Sequence, residues 1–122
     1  MKNQARKVEP LLPLTPAMFH ILLALADREQ HGYGIMQEVE GRGGMRLGPG
    51  TLYGSIKRML AGGLIAESDE RPDPEMDDER RRYYRLTDFG QRVVSAEVDR
   101  LAKLVRIARS KSLLRVSKTG AR

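Results

Sequence analysis

Segment 49–65 constrains this chain most strongly, because it combines a helix start, a single apolar stripe and a helix stop. Pro49 suits the first position of a helix, and Gly62-Gly63 supplies the backbone freedom that ends one. Between these points the apolar residues recur with helical spacing, at Leu52, Ile56, Met59 and Leu60. The segment therefore predicts a short amphipathic helix that ends just before Leu64.

The side of this helix opposite the apolar stripe is small, polar and basic. A face with little side-chain bulk and two cations suits insertion into a DNA major groove. The other interpretation is an ordinary surface helix that happens to carry no carboxylate. If the helix contacts DNA, the candidate residues are Thr51, Tyr53, Ser55, Lys57 and Arg58. Within this set, Arg58 is the candidate for reading a base and Lys57 for contacting the backbone.

The composition indicates one domain with a polyanionic partner. The chain has 122 residues, and 22 Lys and Arg outweigh 16 Asp and Glu. Its longest apolar run, residues 21–26, is far shorter than the roughly 20 residues of a membrane span, and the N-terminus lacks the apolar core of a signal peptide. We therefore expect a cytoplasmic protein that has no membrane association.

No pattern of catalytic or metal-binding residues stands out. The chain has no cysteine, and His20 and His31 belong to no recognisable triad or metal-ligand spacing. The glycines of segment 48–54 match neither nucleotide-binding pattern. We therefore expect a protein that is not an enzyme and needs neither a metal nor a cofactor.

Two helices are predicted before segment 49–65. The first begins at Thr15 and ends near Asp27, and the second runs from about Gly32 to Glu40 after a turn at residues 30–32. Residues 45–47 are predicted to form a very short strand. Residues 1–13 are polar and basic with two prolines, which predicts a flexible arm.

A β-hairpin is predicted after segment 49–65. Residues 64–68 and 81–86 have the pattern of two antiparallel strands, and the acidic, proline-containing segment 69–79 predicts a mobile tip. This tip should point away from DNA, since its carboxylates would repel phosphate. Three cations follow where the hairpin returns to the body, and they are candidate contacts to phosphate or the minor groove: Arg80, Arg81 and Arg82.

A long helix, capped at Thr87, is predicted to end the ordered part of the chain. It supplies a dimerisation segment over residues 91–114, with residues 115–122 as a disordered tail. Apolar residues alternate spacings of four and three, which is a coiled-coil pattern. We expect a second copy of the chain to cover this stripe; the alternative is that the helix folds back over the first two helices. The stripe consists of Val94, Val98, Leu101, Val105 and Ala108.

Three helices followed by a hairpin make a winged helix-turn-helix, here assigned to residues 14–90, so the predicted fold class is mainly α with a small β-hairpin. The chain resembles the PadR family of bacterial transcriptional regulators over roughly residues 14–109. The motifs that carry this resemblance are Leu14-Thr15, His31-Gly32-Tyr33-Gly34, Leu47-Gly48-Pro49-Gly50-Thr51-Leu52-Tyr53, Gly63-Leu64-Ile65 and Arg82-Tyr83-Tyr84-Arg85-Leu86-Thr87-Asp88-Phe89-Gly90.

The resemblance implies a homodimeric repressor that binds double-stranded DNA and dimerises through its C-terminal helix, as in the short branch of the family. It also implies release by a small molecule, for which a flat apolar or aromatic effector near Phe19, Val93 and Ala96 is the candidate. Two features depart from the family pattern: Gly48, where members often carry serine, and the acidic hairpin tip. The alternatives are a winged-helix protein-interaction module and a non-specific nucleoid-type DNA binder.

Overall fold

A computed structural model describes residues 6–68 and 82–114 of the chain. A 3-10 turn precedes four helices and a small antiparallel sheet with the strand order β1-β3-β2. This is the predicted winged helix-turn-helix with a long C-terminal helix. In chain order the elements are the 3-10 turn (Glu9–Leu11), α1 (Pro16–Asp27), β1 (Gln30–His31), α2 (Gly32–Gly41), α3 (Pro49–Ala61), β2 (Ile65–Glu67), β3 (Tyr83–Leu86) and α4 (Asp88–Ser110).

Side-chain caps fix the starts of three helices. Thr15, His31 and Thr87 cap α1, α2 and α4 by accepting the backbone N–H groups of Met18, Gly34 and Gly90 at 3.1, 2.8 and 2.9 Å. The predicted starts at Thr15 and Thr87 are confirmed. A cap and the apolar stripe behind it are local features, and they need no distant partner to be recognised.

The sheet differs from the prediction at its first strand. Residues 30 and 31 were predicted to form a turn, but Gln30 and His31 pair with Tyr84 and Tyr83 of β3. The predicted strand at residues 45–47 was wrong, because this segment is a loop whose Leu47 side chain is fully buried. A two-residue strand has no periodicity to detect, and its partner lies more than fifty residues away.

The N-terminal segment is docked, which corrects the predicted flexible arm as far as the structure describes it. Val8 is buried in the core, and the Arg6 guanidinium lies 3.9 Å from the centre of the Phe89 ring. Arg6 also donates to the Gly62 carbonyl, at the end of α3, over 2.7 Å. Cation–π and hydrogen bonding therefore hold residues 6–13 against the body; residues 1–5 lie outside the described residues.

Helix α4 has two parts with different surroundings. Its first turns pack on α1 and on the 3-10 turn, and bury Phe89, Val93 and Glu97. Val94 was predicted to lie in the dimerisation seam, but it is 4% exposed and belongs to the core of its own chain. The first part of α4 therefore folds back on α1, one of the two helices named in the fold-back alternative, whereas Val98 onwards carries exposed apolar side chains. The predicted tail at 115–122 lies outside the described residues.

No helix in the described ranges is both long and apolar enough to cross a membrane.

Candidate nucleic-acid interface

Helix α3 separates a buried apolar face from an exposed small and basic face. Leu52, Ile56 and Met59 are buried where α3 packs on α1, α2 and β2. On the exposed side, Gly50 and Gly54 leave space in which an added Cβ would have no neighbour within 4 Å. The charged and hydroxyl side chains that share this exposed side are Thr51, Lys57 and Arg58. The packing thus presents three of the predicted DNA-contacting residues together.

Ser55 does not belong to this exposed side, which corrects its predicted role in DNA binding. It is fully buried, and its Oγ has no hydrogen-bond partner among the described residues. Ser55 lies three residues after Leu52 and four before Met59, so helical geometry places it within the apolar stripe. A polar residue type suggested exposure, but its position in the stripe decides its orientation.

Tyr53 is partly buried at the edge of the exposed face. Its ring lies against Gly32, at the start of α2, where any added side-chain carbon would overlap the ring. Tyr53 also lines a groove between α3 and the hairpin. Tyr53 therefore helps to set how α2 and α3 pack, in addition to its predicted contact with DNA.

The base of the hairpin brings Arg82 to the same side of the molecule as α3. Arg82 forms an ion pair with Glu67, with an N–O distance of 2.9 Å. Both residues line the groove that contains Tyr53 and Lys57, and its volume is about 400 Å³. Arg80, Arg81 and the acidic segment 69–79 lie outside the described residues.

The first turn of α3 suits an anionic partner. Within the described chain it has no acidic residue, and Gly48 provides no side-chain cap bond. Backbone N–H groups and the helix dipole favour phosphate at such an end, where Thr51 adds an exposed hydroxyl. Gly48, where family members often carry serine, therefore removes a hydroxyl from this helix end without adding negative charge.

An aromatic cluster that the sequence did not predict lies at the β1–β3 edge of the sheet. The His31 ring is 5.2 Å from the Tyr83 ring and 6.5 Å from the Tyr33 ring, measured between centroids. Tyr33 is 55% exposed. The motif His31-Gly32-Tyr33-Gly34 was the available signal, but only the pairing of β1 with β3 brings Tyr83 to it.

The exposed apolar face of α4 is wider than the predicted seam. Of the seam residues, Val98 and Val105 are exposed on the single chain, and Leu101 and Ala108 are partly buried. Leu104 and Ile107, which the heptad pattern omits, are 49% and 51% exposed. The broad apolar face of an ordinary amphipathic helix, unlike the narrow seam of a coiled coil, includes these two positions.

The structure also locates the residues predicted to lie near an effector, and it bears on metal binding. Of the residues placed near an effector, Val93 is fully buried, whereas Phe19 and Ala96 are partly buried. Within residues 6–68 and 82–114, no group of three or more His, Asp or Glu is arranged to hold a metal ion.

Comparison with known proteins identifies the family. Residues 21–96 match the Transcriptional regulator PadR-like family. Over 87 residues the chain is 39% identical to Transcriptional regulator Rv3488 of Mycobacterium tuberculosis, covering 71% of this chain and 77% of that protein. It is also 36% identical over 88 residues to an uncharacterized 37.1 kDa protein in transposon TN4556 of Streptomyces fradiae, covering 72% of this chain but only 24% of that protein.

The fold agrees with this match. The crystal structure of a PadR family transcription regulator from Clostridium difficile superposes with a TM-score of 0.66 at 24% identity, covering 77% of this chain and 95% of that one. The order of helices, sheet and long C-terminal helix is that of a winged helix-turn-helix. This chain belongs to the PadR family of transcriptional regulators.

Proposed function

We propose that this regulator represses transcription by binding a palindromic operator as a homodimer. The main support comes from the exposed face of α3, where glycines leave room for DNA and Lys57 and Arg58 supply charge. A helix of this kind can enter the major groove while the hairpin lies along the adjacent backbone or minor groove. We place the regulator in the cytoplasm, where it has direct access to DNA.

The side chains of α3 have different proposed roles. Arg58 reads a base, because a guanidinium can donate two parallel hydrogen bonds to O6 and N7 of guanine. Lys57 contacts the backbone as a point charge, and Thr51 adds a hydroxyl near the helix N-terminus. Tyr53 and Arg82 contact phosphate or sugar from the two sides of the groove. Arg80 and Arg81 are proposed to extend the hairpin contact.

The second part of α4 is proposed to form the dimer interface. Val98, Leu104 and Val105 expose apolar surface on one broad side of the helix, and a second copy of the chain would remove this surface from water. A two-fold dimer places two copies of α3 on successive major-groove turns, roughly 34–36 Å apart. The half-sites of the operator should therefore be spaced by about one helical turn.

A small-molecule effector is proposed to release the regulator from DNA. The partly buried Phe19 and Ala96 could contribute to a site completed by the second copy, suited to a flat apolar or aromatic ligand. The support is the family resemblance together with this placement.

Equilibrium binding to two DNA fragments tests the proposal. One fragment comes from the regulator's own promoter region and the other has random sequence, and both are titrated across a salt series. A specific repressor prefers the promoter fragment at every salt concentration. Salt-sensitive binding without preference would indicate a nucleoid-type protein, and binding to neither would favour a protein-interaction module.

A further inference from the structure

We infer that the groove between α3 and the hairpin binds one phosphodiester of the DNA backbone, and that Glu67 holds Arg82 until that phosphate displaces it. This inference rests on the proposed DNA binding. It adds a defined phosphate site, and it assigns to Glu67 the role of limiting the affinity of that site for DNA.

The strand register places the charged pair on the α3 side of the sheet. Glu67 of β2 pairs with Tyr84 of β3, so the two side chains share a face. Arg82 precedes Tyr84 by two residues and therefore points to this same face. Tyr84 is 3% exposed, which identifies the face as the one that packs toward the body of the domain.

The groove has the composition of an anion site with an internal counter-ion. Lys57 of α3 and Arg82 of the hairpin lie on its two walls, together with Tyr53. Among the described residues that line it, Glu67 is the single carboxylate. The groove therefore holds two cations, one tyrosine and one anion of its own.

A DNA backbone strand is the anion that the fold brings to this position. When a helix occupies the major groove and a hairpin lies along the adjacent minor groove, one sugar–phosphate strand passes between them. In this chain the space between α3 and the hairpin is this groove. A phosphate lying there would meet Lys57 from one side and Arg82 from the other.

Glu67 competes with that phosphate for Arg82. The Arg82 and Glu67 side chains are 43% and 35% exposed, so water and salt weaken their ion pair and it can exchange. A phosphodiester offers equivalent acceptor oxygens to the guanidinium. The carboxylate, if left beside the phosphate, would also repel it, so Glu67 lowers DNA affinity by both routes.

A double-mutant cycle on DNA affinity tests the inference. The proteins are wild type, Glu67→Gln, Arg82→Gln and the double variant, each titrated with promoter and random fragments at several salt concentrations. Glu67→Gln should tighten binding to both fragments by about three- to tenfold at low salt, with a smaller gain at high salt. The gain in affinity from Glu67→Gln should be larger by a factor of about three or more when residue 82 is arginine than when it is glutamine. Arginine must break its ion pair with Glu67 before it binds phosphate, whereas glutamine forms no such ion pair.

Glu38→Gln is the matched control. Glu38 is also an ion-paired glutamate, 3.0 Å from Arg42, but it does not line this groove. Its substitution makes the same charge change and should alter affinity by less than about twofold. Weaker or unchanged binding by Glu67→Gln, or equal gains in the wild-type and Arg82→Gln backgrounds, would overturn the inference while leaving promoter preference intact. Loss of promoter preference in the wild-type protein would overturn the proposed function instead.

Discussion

Glu97 of α4 accepts a hydrogen bond from the backbone N–H of Leu14, which lies 83 residues earlier in the chain. The oxygen–nitrogen distance is 3.0 Å, and Glu97 is only 2% exposed. Arg100 donates two further hydrogen bonds to the same carboxylate, at 2.6 and 3.0 Å. This contact ties the segment before α1 to α4 at the point where α4 leaves the core. It therefore joins the DNA-binding domain to the proposed dimerisation segment.

Removing the Glu97 carboxylate should destabilise the fold. In Glu97→Ala the buried Leu14 N–H loses its acceptor, and we expect a loss of about 1–3 kcal/mol in the free energy of unfolding. Glu97→Gln keeps an acceptor oxygen and should lose less. Urea denaturation at fixed protein concentration measures both, with Asp99→Asn as the control, since Asp99 is exposed on the same helix. If Glu97→Ala, Glu97→Gln and Asp99→Asn were all as stable as the wild-type protein, the Glu97 contact would contribute nothing to the free energy of unfolding.

The same carboxylate predicts a dependence of stability on pH. Hydrogen bonds from Arg100, aided by the Leu14 N–H, hold the pKa of Glu97 below its ordinary value of 4.5 despite the opposing effect of burial. The folded protein therefore favours the ionised form of Glu97. This contribution to stability is fully present above about pH 4.5, and it is lost as the pH falls through the lowered pKa of Glu97 in the folded protein. The stability difference between wild type and Glu97→Gln should shrink from about pH 7 to about pH 3. A difference that stays constant over this range would contradict the prediction.

Two glycines should respond oppositely to alanine. A Cβ at Gly90 would overlap the Leu64 carbonyl, against which the first turn of α4 packs, so Gly90→Ala should cost about 1–3 kcal/mol. Gly54 lies in the middle of α3, and a Cβ added there would point into open space. Gly54→Ala should therefore stabilise the helix by about 0.5–1 kcal/mol. The same added methyl group should weaken DNA binding, because it lies on the face proposed to enter the major groove. Thermal unfolding and DNA titration separate the two effects; tighter DNA binding by Gly54→Ala would argue against that orientation.

The broad apolar face of α4 predicts that the dimer can be disrupted without unfolding the monomer. Val105 is 45% exposed, so Val105→Glu leaves the described core intact but places a charge in the proposed interface. We expect a monomer in sedimentation equilibrium at micromolar concentration, and weaker operator binding. Arg106→Glu puts the same carboxylate on the side of the helix that faces away from this apolar surface and should remain dimeric. A dimeric Val105→Glu protein would place the interface elsewhere.

Features encoded by neighbouring residues were predictable from the sequence. Thr15 and Thr87 cap helices as expected, because the cap and the amide it accepts are three residues apart. The order of three helices and a hairpin followed from such local patterns, and it was enough to indicate the winged helix-turn-helix. On α3, the exposure of Lys57 and Arg58 followed from their position opposite the apolar stripe.

Features that depend on distant contacts were not predictable in the same way. Pairing with β3 turns Gln30 and His31 into a strand, and docking on Phe89 orders Arg6. Val94 continues the apolar spacing of α4, but spacing alone does not distinguish the core of the same chain from the surface of a partner. Ser55 is a separate case, because its position three residues after Leu52 and four before Met59 was a local indication of burial.

Substitution of Arg58 tests most directly the central claim that α3 reads DNA sequence. Affinity is measured for the operator and for operators changed at each single base pair. Arg58→Ala should lose about 1–3 kcal/mol on the operator and lose discrimination at one base-pair position in each half-site. The control, Lys57→Ala, should weaken binding to every sequence and reduce the salt dependence by about one phosphate contact. A uniform loss across all operators for Arg58→Ala, with discrimination unchanged, would contradict base reading by Arg58 and assign it to the backbone.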